Sequence, residues 1–334
     1  MSLPPLTLPP ELWDGVLDHL HNDFASLRST ALVCHTWVPT SRFHLFAAIT
    51  LSDKCPARAA SLNSLLANPH ATIPPAVQVL VLHGAHTLVQ LRGIQVPSPA
   101  ITDFTTLLSL APRLIHFRYL REVSLSDVPR AFLSAVPTVE RVTLTGTCIG
   151  VGLLWVVRDL PRLTHLTLEN VSALPCRRGR SAQIQSSVHT VIIRSSSFLC
   201  ASLIVLGWLG CAAPNVAVLS VDMFYARELQ YLAEYLSVIS STLRELELSI
   251  SGADIDVLAL PEFLAPCTTL EILRLKFSAP AHVRHFFALG AGRNGPWPPV
   301  MRLLIVIRKA ERVERESLVE FFQDWTINVQ VVCS

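Results

Sequence analysis

The chain has 334 residues, of which 51% are hydrophobic and 16% charged, with a net charge of +2. A chain of this length can bury roughly three-quarters of its unfolded surface, enough for two or three ordinary domains or for a small domain joined to an elongated one. A charge balance this close to neutral does not argue for a nucleic-acid partner, which needs a basic face. The one basic cluster, Arg177-Arg178-Gly179-Arg180, follows Pro175 and reads as a solvated loop.

The first 50 residues predict helices. Thr7 or Leu8 stands near a cap, proline occupies the first turn and Glu11 follows, the marks of a helix start. Leu12, Val16, Leu17 and Leu20 recur at three- and four-residue spacing as one apolar stripe, with Asp14 and Asp18 on the other face. Asn22-Asp23 is expected to cap a second short helix carrying Phe24 and Leu27. A third is expected through "RSTALVCHTWVPTSR" until Pro39 interrupts it, with Leu32, Val33 and Trp37 holding the small domain together. "FHLFAAITL" then turns extended at its end, and nothing ahead of the first helix reads as a secretory signal.

From about residue 75 an internal repeat begins. Its template is apolar-x-x-apolar-x-apolar, as in "VQVLVL" from Val77, "LREVSL" from Leu120, "VERVTL" from Val139 and "LTHLTL" from Leu163. "VHTVII" from Val188, "VAVLSV" from Val216, "LRELEL" from Leu243, "LEILRL" from Leu270 and "MRLLIV" from Met301 continue it, and "INVQVV" closes the chain as a further strand. The last apolar positions step by 43, 19, 24, 25, 28, 27, 27 and 31 residues, so the first gap is expected to hide a longer or altered repeat. "RLIHFRY" offers a competing register there.

Proline lies two residues before the first apolar position in six units: Pro75, Pro112 (for the competing register at Leu114), Pro137, Pro161, Pro214 and Pro299. Helix-spaced segments precede several of them, so each unit is expected to run helix, proline turn, strand. Stacked units bury their apolar residues in one continuous spine, which lets half the chain be hydrophobic without a membrane. The stretch from Ser195 to Val221 has no charge. Its apolar core is shorter than the roughly 20 residues a bilayer span needs and is broken at Pro214-Asn215, so a buried helix and strand are expected. The eight cysteines form no C-x-x-C pair and are expected to be reduced and buried, as in a cytosolic or nuclear protein.

No catalytic constellation emerges, and the chain is expected to be no enzyme, with no cofactor and no metal. "GAGRNG", 290–295, matches a dinucleotide fingerprint literally, but prolines follow where a helix would have to open. Asp254 and Asp256 read as helix-start acids. His282 with His285, and His83 with His86, lack a third ligand.

Two resemblances follow. The repeats resemble leucine-rich repeats, whose signature L-x-x-L-x-L-x-x-N recurs about every 20 to 29 residues. Here the asparagine position holds Val128, Thr147, Val171, Ser196, Phe224, Ser251 and Ser278, which implies an irregular solenoid. The N-terminal stretch resembles an F-box: Leu8-Pro9-x-Glu11-Leu12, then Val16, Leu17 and Leu20, then Asp23-Phe24-x-x-Leu27, then "ALVCHTWVPTSRFHLF". The whole chain is similar to fungal F-box proteins with degenerate repeats.

These resemblances imply an α/β fold in which a small all-helical F-box domain, 1–50, a connector, 51–74, and an irregular leucine-rich-repeat-like solenoid, 75–334, follow one another. They imply a substrate-recruiting subunit of a cullin–RING ubiquitin ligase, cytoplasmic or nuclear, with neither a membrane nor a nucleic acid as partner. Leu8, Pro9, Glu11, Leu12, Val16, Leu17, Leu20 and Leu27 would bind a Skp-type adaptor and through it a cullin scaffold, with Leu8, Pro9, Leu12, Val16 and Leu17 facing outward. A target protein would lie on the solvent side of the repeat strands, at Thr143, Thr167, Ile192, Ser220, Glu247 and Arg274. In the last unit Leu303 and Ile305 fall at the same outward positions. The other class the sequence allows is a repeat-based binding scaffold acting outside any ligase.

Overall fold

A computed structural model of the chain describes residues 9–52, 56–68, 76–83, 122–125, 137–145, 148–149, 160–169, 172–173, 187–194, 209, 213–223, 226–250, 263–277, 283, 302–307 and 329–333. It divides into two compact units, Met1–Glu140 and Arg141–Ser334.

The first unit opens with α1 (Pro10–Asp18), α2 (Phe24–Val33), a 3-10 turn (His35–Trp37) and α3 (Val38–Phe46). Pro9 and Pro10 start α1, where the missing proline N–H costs nothing. The Asp23 carboxylate caps α2 by accepting the N–H groups of Ala25 at 3.1 Å and Ser26 at 3.0 Å and the Ser26 hydroxyl at 2.6 Å. Those bonds, the Ser26 hydroxyl's first, hold its carboxyl below the usual carboxylate range.

The two helices expected between residues 24 and 38 are one, and it ends at Cys34, whose backbone is extended. Pro39 does not interrupt it; the residue lies in the first turn of α3, where proline is tolerated. α1 and α2 each pack on α3.

α3 runs into β1 (Ala48–Ser52), followed by α4 (Pro56–Ala67), β2 (Val79–His83) and β3 (Glu122–Leu125). These strands pair in parallel in that order, with Ile49 beside Leu80 and Leu80 beside Val123. Thus "FAAITL", Phe46 to Leu51, fits the repeat template, and its end forms the repeat strand β1, which was not among the expected repeats. The Ala47 carbonyl accepts the N–H groups of Gln78 and Val79, both at 2.9 Å. The same forked bond recurs at Thr164, His189, Ala217 and Arg244. β2 and β3 are direct neighbours, so the 43-residue step inserts no strand between them.

The second unit contains β4 (Arg141–Thr145), β5 (Cys148–Ile149), β6 (His165–Glu169), β7 (Ser172–Ala173), β8 (Thr190–Arg194) and β9 (Val218–Met223). α5 (Ala226–Ile239), β10 (Glu245–Ile250), β11 (Ile272–Phe277), β12 (Arg302–Ile307) and β13 (Val329–Cys333) complete it. The main ladder is parallel, in the order β4-β6-β8-β9-β10-β11-β12-β13. A second small ladder pairs β5 with β7, just past Thr147 and Val171 at the expected asparagine positions. This is an α/β parallel-strand solenoid of the leucine-rich-repeat kind.

Strand residues alternate between a buried and a half-buried side. The three apolar template positions form three buried rows. The first is Leu163, Val188, Val216, Leu243 and Leu270, none more than 2% exposed. Each such side chain contributes about 1.5–3 kcal/mol on burial, so this spine is the dominant stabilising element. α5 seals part of it: buried Tyr235 donates its hydroxyl to the Ala213 carbonyl at 3.0 Å.

Hydroxyls complete the stack. Ser187 donates to the Leu163 carbonyl at 2.8 Å, Thr242 to that of Val216 at 3.1 Å, and Thr269 to that of Leu243 at 2.8 Å. Each acceptor opens the preceding repeat strand. The bonds satisfy backbone carbonyls at the turn.

The last unit departs from the expected register. Leu303, Ile305 and Ile307 are buried, while Leu304 and Val306 take the outward positions. Leu303 to Ile307 is apolar throughout, so alternation could not choose a face; pairing of Arg274 with Leu304 does. No described helix is long and apolar enough to cross a membrane. Within the uncharged stretch Leu209, Ala213, Val216, Leu219 and Val221 are buried, and most of its preceding part lies outside the described residues.

Candidate functional site

Each unit carries one candidate surface. In the first, α1 has its sides assigned in an unusual way. Trp13 meets Trp37 with ring centroids 4.8 Å apart, and Leu17, one turn on, is only 2% exposed. Asp14 accepts a hydrogen bond from the Thr40 hydroxyl, and Asp18 pairs with Nε2 of His44 at 2.7 Å. The aromatic and acidic sides of α1 therefore bond to their own domain. Leu12 and Val16, adjacent on the remaining side, are 55% and 51% exposed.

This corrects two expectations about orientation. Leu17 points inward, because residues 13 and 17 share the face that meets Trp37. Leu32 and Val33 do not hold the domain together; they are 88% and 68% exposed. On α2 the packed face is set by Leu27, fully buried, with Thr30 bonded to buried Ser41 at 3.1 Å, and Leu32 and Val33 fall off that face. Phe24 and Phe43 add further exposed apolar surface. Among the other adaptor candidates Pro9 and Glu11 are exposed and Leu20 is half-buried; Leu8 lies outside the described residues.

In the second unit the candidate target positions align. Thr143 pairs with Thr167, Thr167 with Ile192, Ile192 with Ser220, Ser220 with Glu247, and Glu247 with Arg274. Six residues scattered over more than 130 positions of sequence thus form one row on the half-buried outward side, about 5 Å per strand. Leu304 continues it, with Gln330 as its register partner on β13.

Two ion pairs brace the row: Arg274 to Glu245 and Lys276 to Glu247, both at 2.7 Å. Ser220 donates to Glu247 at 2.8 Å. Burial opposes the Glu247 charge, but bonds from Lys276 and Ser220 and the nearby Lys276 and Arg274 charges outweigh it, and its carboxyl titrates below the usual glutamate range.

The motifs weighed for chemistry at 254–256, 282 with 285, and 290–295 lie outside the described residues. Among the described residues, no group of three or more His, Cys, Asp or Glu side chains converges to hold a metal ion. Cys267 is buried, and burial pushes its thiol up to about 11. Contrary to expectation, Cys34 is not buried; the Thr36 hydroxyl, 2.8 Å away, lowers its thiol pKa.

No protein-family model matches the chain, and no curated protein does. Among solved structures it is similar to human 5T4 (Wnt-activated inhibitory factor 1, trophoblast glycoprotein), at 16% identity over 64% of this chain and 81% of that one. The TM-score of 0.37 is too low to carry an argument. The strand register stands on its own: parallel repeats present a continuous outward row, the kind of extended surface that repeat folds offer.

Proposed function

We propose that the chain is a non-catalytic, substrate-recruiting subunit of a cullin–RING ubiquitin ligase, acting in the cytoplasm or nucleus. Its N-terminal helices bind a Skp-type adaptor, and its repeats hold a target protein. The carrying observation is the orientation of α1: its polar and aromatic sides bond inside the domain while Leu12 and Val16 stay in solvent. An apolar stripe left outward in this way marks an interface. The order of Leu8, Pro9, Glu11 and Leu12 ahead of it is the F-box order. Of the remaining adaptor candidates, Leu17 and Leu27 support the interface from beneath.

The test is co-purification of the full chain with a Skp-type adaptor. Wild type retains the adaptor, and Leu12→Asp loses it while the chain stays folded. Retention by Leu12→Asp refutes the docking face. A second reading, a binding scaffold outside any ligase, is favoured by the outward row alone, which needs no adaptor. It holds if the wild-type chain captures no adaptor at all.

A further inference from the structure

We infer that the outward side of β11 and β12 docks an acidic, aliphatic-bearing segment of the target protein. The inference rests on the reading of the repeats as the target-binding part and names the chemistry of that target.

The outward residues of these two strands are Ile272, Arg274 and Lys276, then Arg302, Leu304 and Val306. They comprise three cations and three aliphatic side chains, with no acid. The acids lie one strand back, at Glu245 and Glu247 on β10. In both ion pairs the cation's charged end is turned back toward its β10 carboxylate, so among these three cations Arg302 carries the charge that no described carboxylate offsets. Arg302 is exposed and has no carboxylate partner among the described residues.

Register places the aliphatic groups among these charges. Ile272 is beside Arg302, Leu304 beside Arg274, and Val306 beside Lys276. The three aliphatics are half-buried, open to a partner on one side. On β13, Gln330 and Val332 are the register partners of Leu304 and Val306. Such a surface complements leucines or isoleucines interspersed with carboxylates: the apolar groups cover the shelf, and the acids meet Arg302. A basic segment would bring like charge against Arg302, which no described carboxylate offsets, and this disfavours it.

The probe is a fluorescein-labelled peptide alternating glutamate and leucine, titrated with the full-length chain by fluorescence anisotropy. A counterpart with lysine for glutamate is the control. The glutamate peptide binds saturably, more weakly as salt rises, and the lysine peptide binds at least about tenfold more weakly. Arg302→Glu and Leu304→Asp each weaken the glutamate peptide about tenfold or more. Arg302→Glu also narrows the gap between the peptides in favour of lysine, a gain that misfolding cannot produce. Equal affinity for the two peptides, no saturable binding of the glutamate peptide, or unchanged affinity in both variants overturns the inference. Adaptor capture runs through α1 in the other unit, so failure here is distinguishable from failure of the ligase reading.

Discussion

The hydroxyl of Thr269 donates to the carbonyl of Leu243 at 2.8 Å, one repeat back in the chain. The same group also reaches the Ser240 carbonyl at 3.2 Å. One side chain thus ties the end of α5's repeat to the next. Thr269→Val keeps the shape and leaves these carbonyls short of a donor. It should lower unfolding stability by about 0.5–1.5 kcal/mol, read as a shift in urea midpoint with unchanged slope. Thr242→Val should behave alike.

The two faces of α2 should respond oppositely. Leu27→Ala removes a fully buried side chain and should cost about 2–5 kcal/mol. Leu32→Ala, at a position 88% exposed, should stay within about 0.5 kcal/mol. Thermal melts of the two variants check this, and comparable losses would contradict the orientation of the helix.

Glu247 gives a pH test. Its pKa is depressed in the folded chain, so its stabilising contribution is present above the unfolded glutamate range and is lost as pH falls through that range and below. Stability of the wild type should decline on acidification with a steeper slope than that of Glu247→Gln. Parallel slopes between about pH 5 and 3 would contradict the arrangement with Lys276 and Ser220.

Tyr235 tests the seal between α5 and the spine. Tyr235→Phe leaves the Ala213 carbonyl without its buried donor and should cost about 1–3 kcal/mol, measured by denaturant unfolding.

Much of the spine was legible because leucine, valine and isoleucine at fixed spacing can be buried together only by stacking. Val142, Leu166, Val191, Leu219, Leu246 and Leu273 are buried as the template requires. The template failed at two places for different reasons. At β12 five consecutive apolar residues carry no alternation, and only pairing with β11 sets the face. At β1, Ala48–Ser52, the strand follows α3 directly, without the proline that punctuates other repeats. In α1 the spacing revealed a stripe but not which flank is covered. The indole of Trp37, distant in sequence, covers the Trp13 and Leu17 side. The hydroxyl ladder was visible as Ser187, Thr242 and Thr269 ahead of the first apolar residues, but its meaning depends on carbonyls a full repeat away.

The most direct test of the adaptor face is calorimetric titration of a purified Skp-type adaptor into the full chain, wild type against Val16→Asp, with melting temperatures measured in parallel. Val16 is half in solvent, so the variant should melt with the wild type. The account predicts saturable binding to wild type and a loss of affinity of at least about a hundredfold in the variant. Equal affinity for both proteins would contradict it.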